Sequence, residues 1–280
     1  MRDNGFFNRQ DDEDKEKFAF GAEMIKPMGG FDRIVSIFAS PVKLFKNIRT
    51  HPKILAPFVI FLIMGIITGV LTMKYAGIVT EARRPAMEAK YGAEFVNFEE
   101  NGSELSMLLN MSLVDPSMTG LSMALSGIFT FLSTYGTTGL MIAFIYFILV
   151  KILKGEAKYP NIMSMIFHIL IVDAVGSTII LALGIIFNTP VDVSSLAVFL
   201  GRGAFETPLY NVLNCISVFS LWHSVLIIFG LKTVCGLPLK KAVLAETVIF
   251  VISVLFAGIV VPMAETYILD TNYQIFLQQI

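Results

Sequence analysis

Charge is scarce in this sequence. Asp, Glu, Lys and Arg supply 15% of its 280 residues, against about 25% in ordinary soluble domains. That deficit excludes a single soluble globule. The net charge of −1 gives no bulk basic character, so nucleic acid is not expected as a partner. There are two cysteines, Cys215 and Cys235, both in or beside one apolar run. Two such residues form neither a disulfide framework nor a metal knuckle, and read as small buried hydrophobes. Catalytic signatures are missing as well: no H-E-x-x-H, no G-x-S-x-G and no Walker loop. The "VGST" at 175–178 lacks the flanking pattern of an intramembrane serine protease. Nothing specific points to an enzyme, and no cofactor or metal is expected.

Apolar residues are what the chain has in excess: 55% of it, with a mean hydropathy of +0.72. A membrane-spanning helix needs about 20 mostly apolar residues. Five stretches qualify: Ile54–Met73, one within Thr119–Leu153, Ile162–Phe187, about Val212–Leu231, and Ala242–Met263. The second would run about 52 Å as one helix, longer than a ~30 Å hydrocarbon core. It has too few residues for two spans and a turn. One span over about Tyr135–Leu153, preceded by a helical extension, is the better reading.

The distribution of Lys and Arg supports five spans. Alternate non-spanning segments carry 16 of these residues on one side and 5 on the other. The positive-inside rule then puts the N-terminus in the cytoplasm and the C-terminus outside. The expected fold is an all-α polytopic membrane helix bundle with five transmembrane helices and amphipathic interfacial helices on the cytoplasmic N-terminal side. Residues 1–30 read as a disordered charged tail, 31–53 as the amphipathic helices, 54–263 as the membrane domain and 264–280 as a short outer tail. Within the membrane domain, 74–118 forms a small outer cap with seven acids and four bases, and Pro85 is expected to break its helix.

The stretch "FDRIVSIFA" places Phe31, Ile34, Val35 and Phe38 on one helical face. Ser40 then reads as an N-cap and Pro41 as the first residue of a second helix. That helix carries Lys43, Lys46 and Arg49 beside Val42, Phe45 and Ile48. Pro52 turns the chain into the bilayer. Such basic, Phe-rich helices suit a membrane interface, or pack on the ends of the spans.

Four ionisable residues fall inside spans: His168 and Asp173 in the third, His223 in the fourth, Glu246 in the fifth. At 1.5 Å per residue they lie roughly 9, 17, 12 and 6 Å from the cytoplasmic ends, so they could meet in one polar cluster. His168 and Asp173 are five residues apart, about 140° around the helix, and do not share a face. The cluster reads either as interhelical hydrogen bonding or as a proton relay or imidazole–carboxylate metal site. Gly65 and Gly69 form a G-x-x-x-G that permits close helix approach, within the bundle or between protomers. Trp222, the single tryptophan, sits mid-span, away from an interfacial belt, and reads as a packing residue or as part of a cavity lining.

Two stretches together resemble the prokaryotic members of the Yip-domain (Ypt-interacting-protein) family. In "FDRIVSIFASPVKLFKNIRTHPKILAPFVIFLIMGIITG" the matching positions are Phe31, Ile34, Ser40, Pro41, Phe45, Ile48, Pro52 and Pro57. In "LWHSVLIIFGLKTVCGLPLKKAV" they are Leu221-Trp222, Gly230-Leu231-Lys232, Gly236 and Lys241-Ala242-Val243. The resemblance covers about Phe31–Met263 and implies five spans with a cytoplasmic N-terminus. It supplies no catalytic residues. Eukaryotic members act in vesicle trafficking and bind Rab-type GTPases, a role not carried over to a chain with so short a tail.

Two functions follow as expectations. One is a non-enzymatic membrane scaffold in the cytoplasmic membrane, bound to the lipid bilayer and to copies of itself or to other membrane proteins. It would depend on the basic interfacial stretch and on Gly65/Gly69. The alternative is an ion or small-solute transporter or channel using the polar cluster, with a water-accessible cavity at Asp173 and His223. The absence of a visible internal repeat weighs mildly against a secondary transporter.

Overall fold

The structure is a computed structural model and describes residues 26–100, 120–205 and 207–278. Among these, helix is the only regular element beyond one isolated bridge pairing. Two short helices, α1 (Gly30–Ala39) and α2 (Pro41–Thr50), precede a long α3 (Leu55–Tyr91) and a short α4 (Ala93–Glu100). Then come α5 (Gly120–Ile152), α6 (Tyr159–Ile186), a loop with two 3-10 turns, α7 (Pro208–Asn214) and α8 (Val218–Thr233). The chain closes with α9 (Leu239–Leu255), a π turn (Phe256–Val260) and α10 (Val261–Leu277). The sequence-expected residues 1–25 of the tail and 101–119 of the cap lie outside the described residues.

Among the described residues four helices are long and apolar enough to cross a membrane: Leu55–Thr72, Tyr135–Ile152, Tyr159–Ile186 and Leu239–Leu277. The second is the C-terminal part of one continuous helix over the long apolar stretch, α5, which begins at Gly120. The fourth expected span is the exception. The helix does not run through from Val212. It stops at Asn214 and restarts at Val218, leaving α8 with 16 residues, about 24 Å. Ser217 causes the restart. Its hydroxyl accepts from Ser220 N–H while the Ser220 hydroxyl accepts from Ser217 N–H, a reciprocal capping box. Flanking backbone groups are also engaged elsewhere: Leu196 N–H donates to Ile216 O, and Val218 N–H to Ser194 O.

Pro85 does not break its helix. α3 runs through it for 37 residues and ends only at Gly92, whose φ of 86° is left-handed. A proline removes one backbone hydrogen bond and crowds the preceding turn, but the neighbouring turns propagate the helix across it. Beyond the apolar part, α3 and α4 meet α10. Lys90 Nζ lies 2.8 Å from Asp270, and Tyr91 donates to the same carboxylate at 2.6 Å. Tyr91, Phe95, Tyr273 and Phe276 stack around that ion pair. Residues 264–277 are therefore helical and docked to this cap.

The core centres on α6. Ile162, Met165–Phe167 and Ile169–Val172 are almost wholly buried against α3, α5 and α8. Phe167 packs its ring on Phe58 and Phe61 of α3, at centroid distances of 5.3 and 6.2 Å. Close approach needs small residues. A Cβ on Gly139 would come within 3.0 Å of Phe167 and Leu170, and one on Gly176 within 2.6 Å of Phe219. Gly65 and Gly69 are both buried within the bundle.

Loops alternate between the two ends. Asn161 donates to the carbonyls of Ile48 and Arg49, Lys241 to Leu153 O, and Glu156 N–H to Cys235 O. Residues 48–53, 153–161 and 233–241 thus gather at one end. At the other, Tyr75 donates to Pro190 O, and α3 runs on beyond it to the junction with α10. The segments rich in Lys and Arg share an end, as the charge count requires.

A candidate functional site between four helices

Asp173 is carried by α6 and faces α8. His223, in the second turn of α8, lies 2.7 Å from it through Nδ1 and Oδ2, with both side chains mostly buried. Glu246 projects from the second turn of α9 and is 4% exposed. It accepts a hydrogen bond from the Tyr146 hydroxyl of α5. The two pairs thus link α6 with α8, and α5 with α9.

All four side chains border one cavity of about 390 Å³. Apolar walls come from Ile142 and Ile145 on α5 and from Ile249 and Ile252 on α9. Among the described residues α5 and α9 scarcely touch apart from the Tyr146–Glu246 bond. Ile145 and Ile252, at the rim, are both exposed. The cavity is therefore a cleft that opens sideways from the bundle, apolar at its walls and polar at its floor.

From Glu246 to Ala257, which both line it, the cleft follows α9 for about 16 Å. Two irregularities frame its far end. Cys215 marks the break before α8, and Ala257 lies in the π turn. They pack against each other: a Cβ on Gly258 would lie 2.8 Å from the Val212 Cα. Single-turn π segments and broken helices are common beside functional sites.

Of the four intramembrane candidates, the fold brings together Asp173, His223 and Glu246. His168 is elsewhere. The 140° offset turns it toward the N-terminal helices, where Nδ1 donates to Ser164 O at 2.6 Å. Its Nε2 is buried without a hydrogen-bond partner among the described residues. Ser164 in turn exchanges hydrogen bonds with both backbone groups of Lys53. No group of three metal-ligating side chains occurs among the described residues. Trp222 is 38% exposed on α8 and is not a core packing residue. Cys235 is buried, and burial pushes its thiol up to about 12. Cys215 is half-buried at the cleft.

The interfacial residues also find places. Ser40 is the N-cap residue of α2 and Pro41 its first residue, without a side-chain capping bond. Lys43 and Lys46 are exposed. Arg49 reaches Thr233 O at 3.5 Å and Glu156 at 3.7 Å. With Pro52, Lys158 and Asn161 these line a second cavity of about 340 Å³. Sequence reasoning missed Tyr146, whose one signal was a hydroxyl in a run of aliphatics. It also missed Arg33 and Asn47, which resemble ordinary surface residues of a short helix.

The Yip1 domain family model matches residues 35–261. The chain belongs to the Yip1 domain family. Among curated proteins it is similar to membrane protein YknW of Bacillus subtilis (strain 168), 24% identical over 227 residues, which is 80% of this chain and 87% of that one. No solved structure matches it significantly. Family and relative agree with the helices in making this a multi-pass membrane protein, and the match runs from within α1 to the start of α10, including the cleft.

Proposed function

We propose that this Yip1 domain protein is a non-enzymatic membrane scaffold that seats a transmembrane segment of a partner protein in the cleft between α5 and α9. The observation that carries the reading is the sideways opening of that cleft. A hydrogen-bonding floor inside apolar walls suits a helix entering from the lipid. Interhelical polar contacts in a membrane supply specificity where apolar burial alone does not. Gly65 and Gly69 are spent inside the bundle, which leaves the cleft as the seat for a partner. In the same reading the bundle sits in the cytoplasmic membrane with its N-terminus inside, and no step of covalent chemistry is assigned to it.

A photo-crosslinking amino acid at Ile145 or Ile252 tests this in native membranes. The expected result is a discrete adduct with a membrane-spanning protein, absent when the same group replaces Leu125 or Phe129. Adducts with lipid alone at all four positions would sink the reading.

Transport of an ion or small solute is the second reading, favoured by the Asp173–His223 pair and by the helix break at the end of the cleft. Reconstituted protein separates the two. A transport pathway makes Cys215 reactive toward a water-soluble methanethiosulfonate and gives a flux lost in Asp173→Asn. The scaffold gives neither, and Cys235, buried and held protonated, stays unlabelled in both.

A further inference from the structure

α1 is inside-out. On a helix each residue advances about 100°, so Phe31, Val35 and Phe38 share one face, and Arg33, Ser36 and Ile37 the opposite one. A helix docked on a soluble protein buries the first set. Here Arg33 is 1% exposed and Ser36 9%, while Phe31 is 78% exposed and Val35 and Phe38 45% each. The inward arginine is held at Nε and at one terminal nitrogen, while the other, Nη1, is buried without a hydrogen-bond partner among the described residues. Its Nε donates to Met28 O at 3.3 Å, and one terminal nitrogen donates to Asn47 Oδ1 at 2.6 Å and His51 O at 2.7 Å. Asn47 then donates to Lys26 O and accepts from Met28 N–H. A buried guanidinium is costly unless its donors are satisfied, yet this one is kept inside while three large hydrophobes are turned out. Water outside that face would favour the opposite arrangement, so the surroundings of the face are apolar.

Position and charge identify them. α1 packs on α3 and α6, and Gly30 lies against Ala56 in the first turn of the span Leu55–Thr72. That contact brings α1 to the end of α3 that carries the exposed Leu55, Val59, Leu62 and Ile63, the side chains a bilayer covers. Val42, the second residue of α2, extends the apolar face, with Lys43 and Lys46 exposed beside it. Apolar side chains bounded by lysines match the boundary between acyl chains and anionic headgroups.

We propose that α1 and the start of α2 lie in the interfacial layer of the bilayer, with Phe31, Val35, Phe38 and Val42 among the acyl chains and Lys43 and Lys46 on anionic lipid headgroups. Arg33 and Asn47 hold α1 from behind, so the surface is built into the fold and does not form on contact with lipid. The inference is independent of what occupies the cleft between α5 and α9.

The test uses the full chain in vesicles, with Trp222→Phe and a single reporter, Phe38→Trp, or Val35→Trp if the first variant folds poorly. Lipid brominated on its acyl chains should lower the emission by about twofold or more, and aqueous acrylamide should have little effect. Brominated phosphatidylglycerol should quench more than brominated phosphatidylcholine, and Lys43→Gln with Lys46→Gln should abolish that difference. Acrylamide quenching without a bromolipid effect would overturn the proposal by placing the face in water. Protection from both quenchers would also overturn it, by showing that protein covers the face. Equal quenching by the two lipids with the lysines intact would overturn the headgroup assignment.

Discussion

α6 and the α9–α10 helix are both long and apolar, yet they relate to the rest of the protein differently. α6 is enclosed by α3, α5 and α8, and even its His168 and Ser164 are sealed inside. α9 contacts chiefly α8 and the π turn, and Val248, Val251, Ile252 and Leu255 face outward. Hydropathy cannot separate these cases, because lipid tails and a protein core are equally apolar. Small residues distinguish them better. Gly139, Gly176 and Gly230 are positions where α6 is closely approached, by α5 on one side and α8 on the other. The contrast locates rigidity in the α3–α5–α6 half and access at the edge formed by α9.

The sharpest way to break this contrast is to truncate one apolar side chain to alanine in each half. Phe167→Ala should cost about 3–5 kcal/mol, since a fully buried ring leaves a cavity among Phe58, Phe61 and Gly139. Val248→Ala, on the exposed side of α9, should cost less than about 0.5 kcal/mol. Thermal unfolding of the purified protein in one detergent checks the pair; equal losses would mean that α9 is packed as tightly as α6.

A smaller effect is expected where the halves join. A double-mutant cycle of Asp173→Asn and His223→Gln should return a coupling of about 1 kcal/mol, the scale of interhelical hydrogen bonds in membranes. No coupling would remove the pair from the list of bonds holding α8 to α6. Tyr146→Phe should cost less than that coupling, about 0.6 kcal/mol. It leaves α6 untouched but frees the contact that spans the cleft. A pair of spin labels on α5 and α9 should then report a broader distance distribution, and an unchanged one would show that α9 is held by other contacts.

Much of the candidate site was legible in advance. Three of its members, Asp173, His223 and Glu246, stand out because ionisable groups are expensive inside a span. The 140° separation on α6 already forbade His168 and Asp173 from sharing a face, and the fold sends them to different neighbourhoods. Tyr146 was not legible, since a lone tyrosine in an apolar run acquires a role only from the residue that happens to face it. Nor was the break at Cys215–Ser217. The local composition there is apolar enough for a continuous helix, and the break is held by the capping box together with the distant pairing of Ser195 with Ser217.

Sequence alone determined the class of this protein, because its apolar runs must satisfy their backbone groups internally and only helices do so within a single segment. It also determined which loops share an end, because lysine and arginine are unevenly distributed between alternate segments. The tertiary structure decided what remained ambiguous by periodicity. A helical face of Phe31, Val35 and Phe38 is only a face until something packs on one side of it. The hydrogen bonds of Arg33 and Asn47 turn it outward, and the gap between α5 and α9 opens the polar floor to the side. Both outcomes depend on contacts between residues far apart in the chain, which no local pattern encodes.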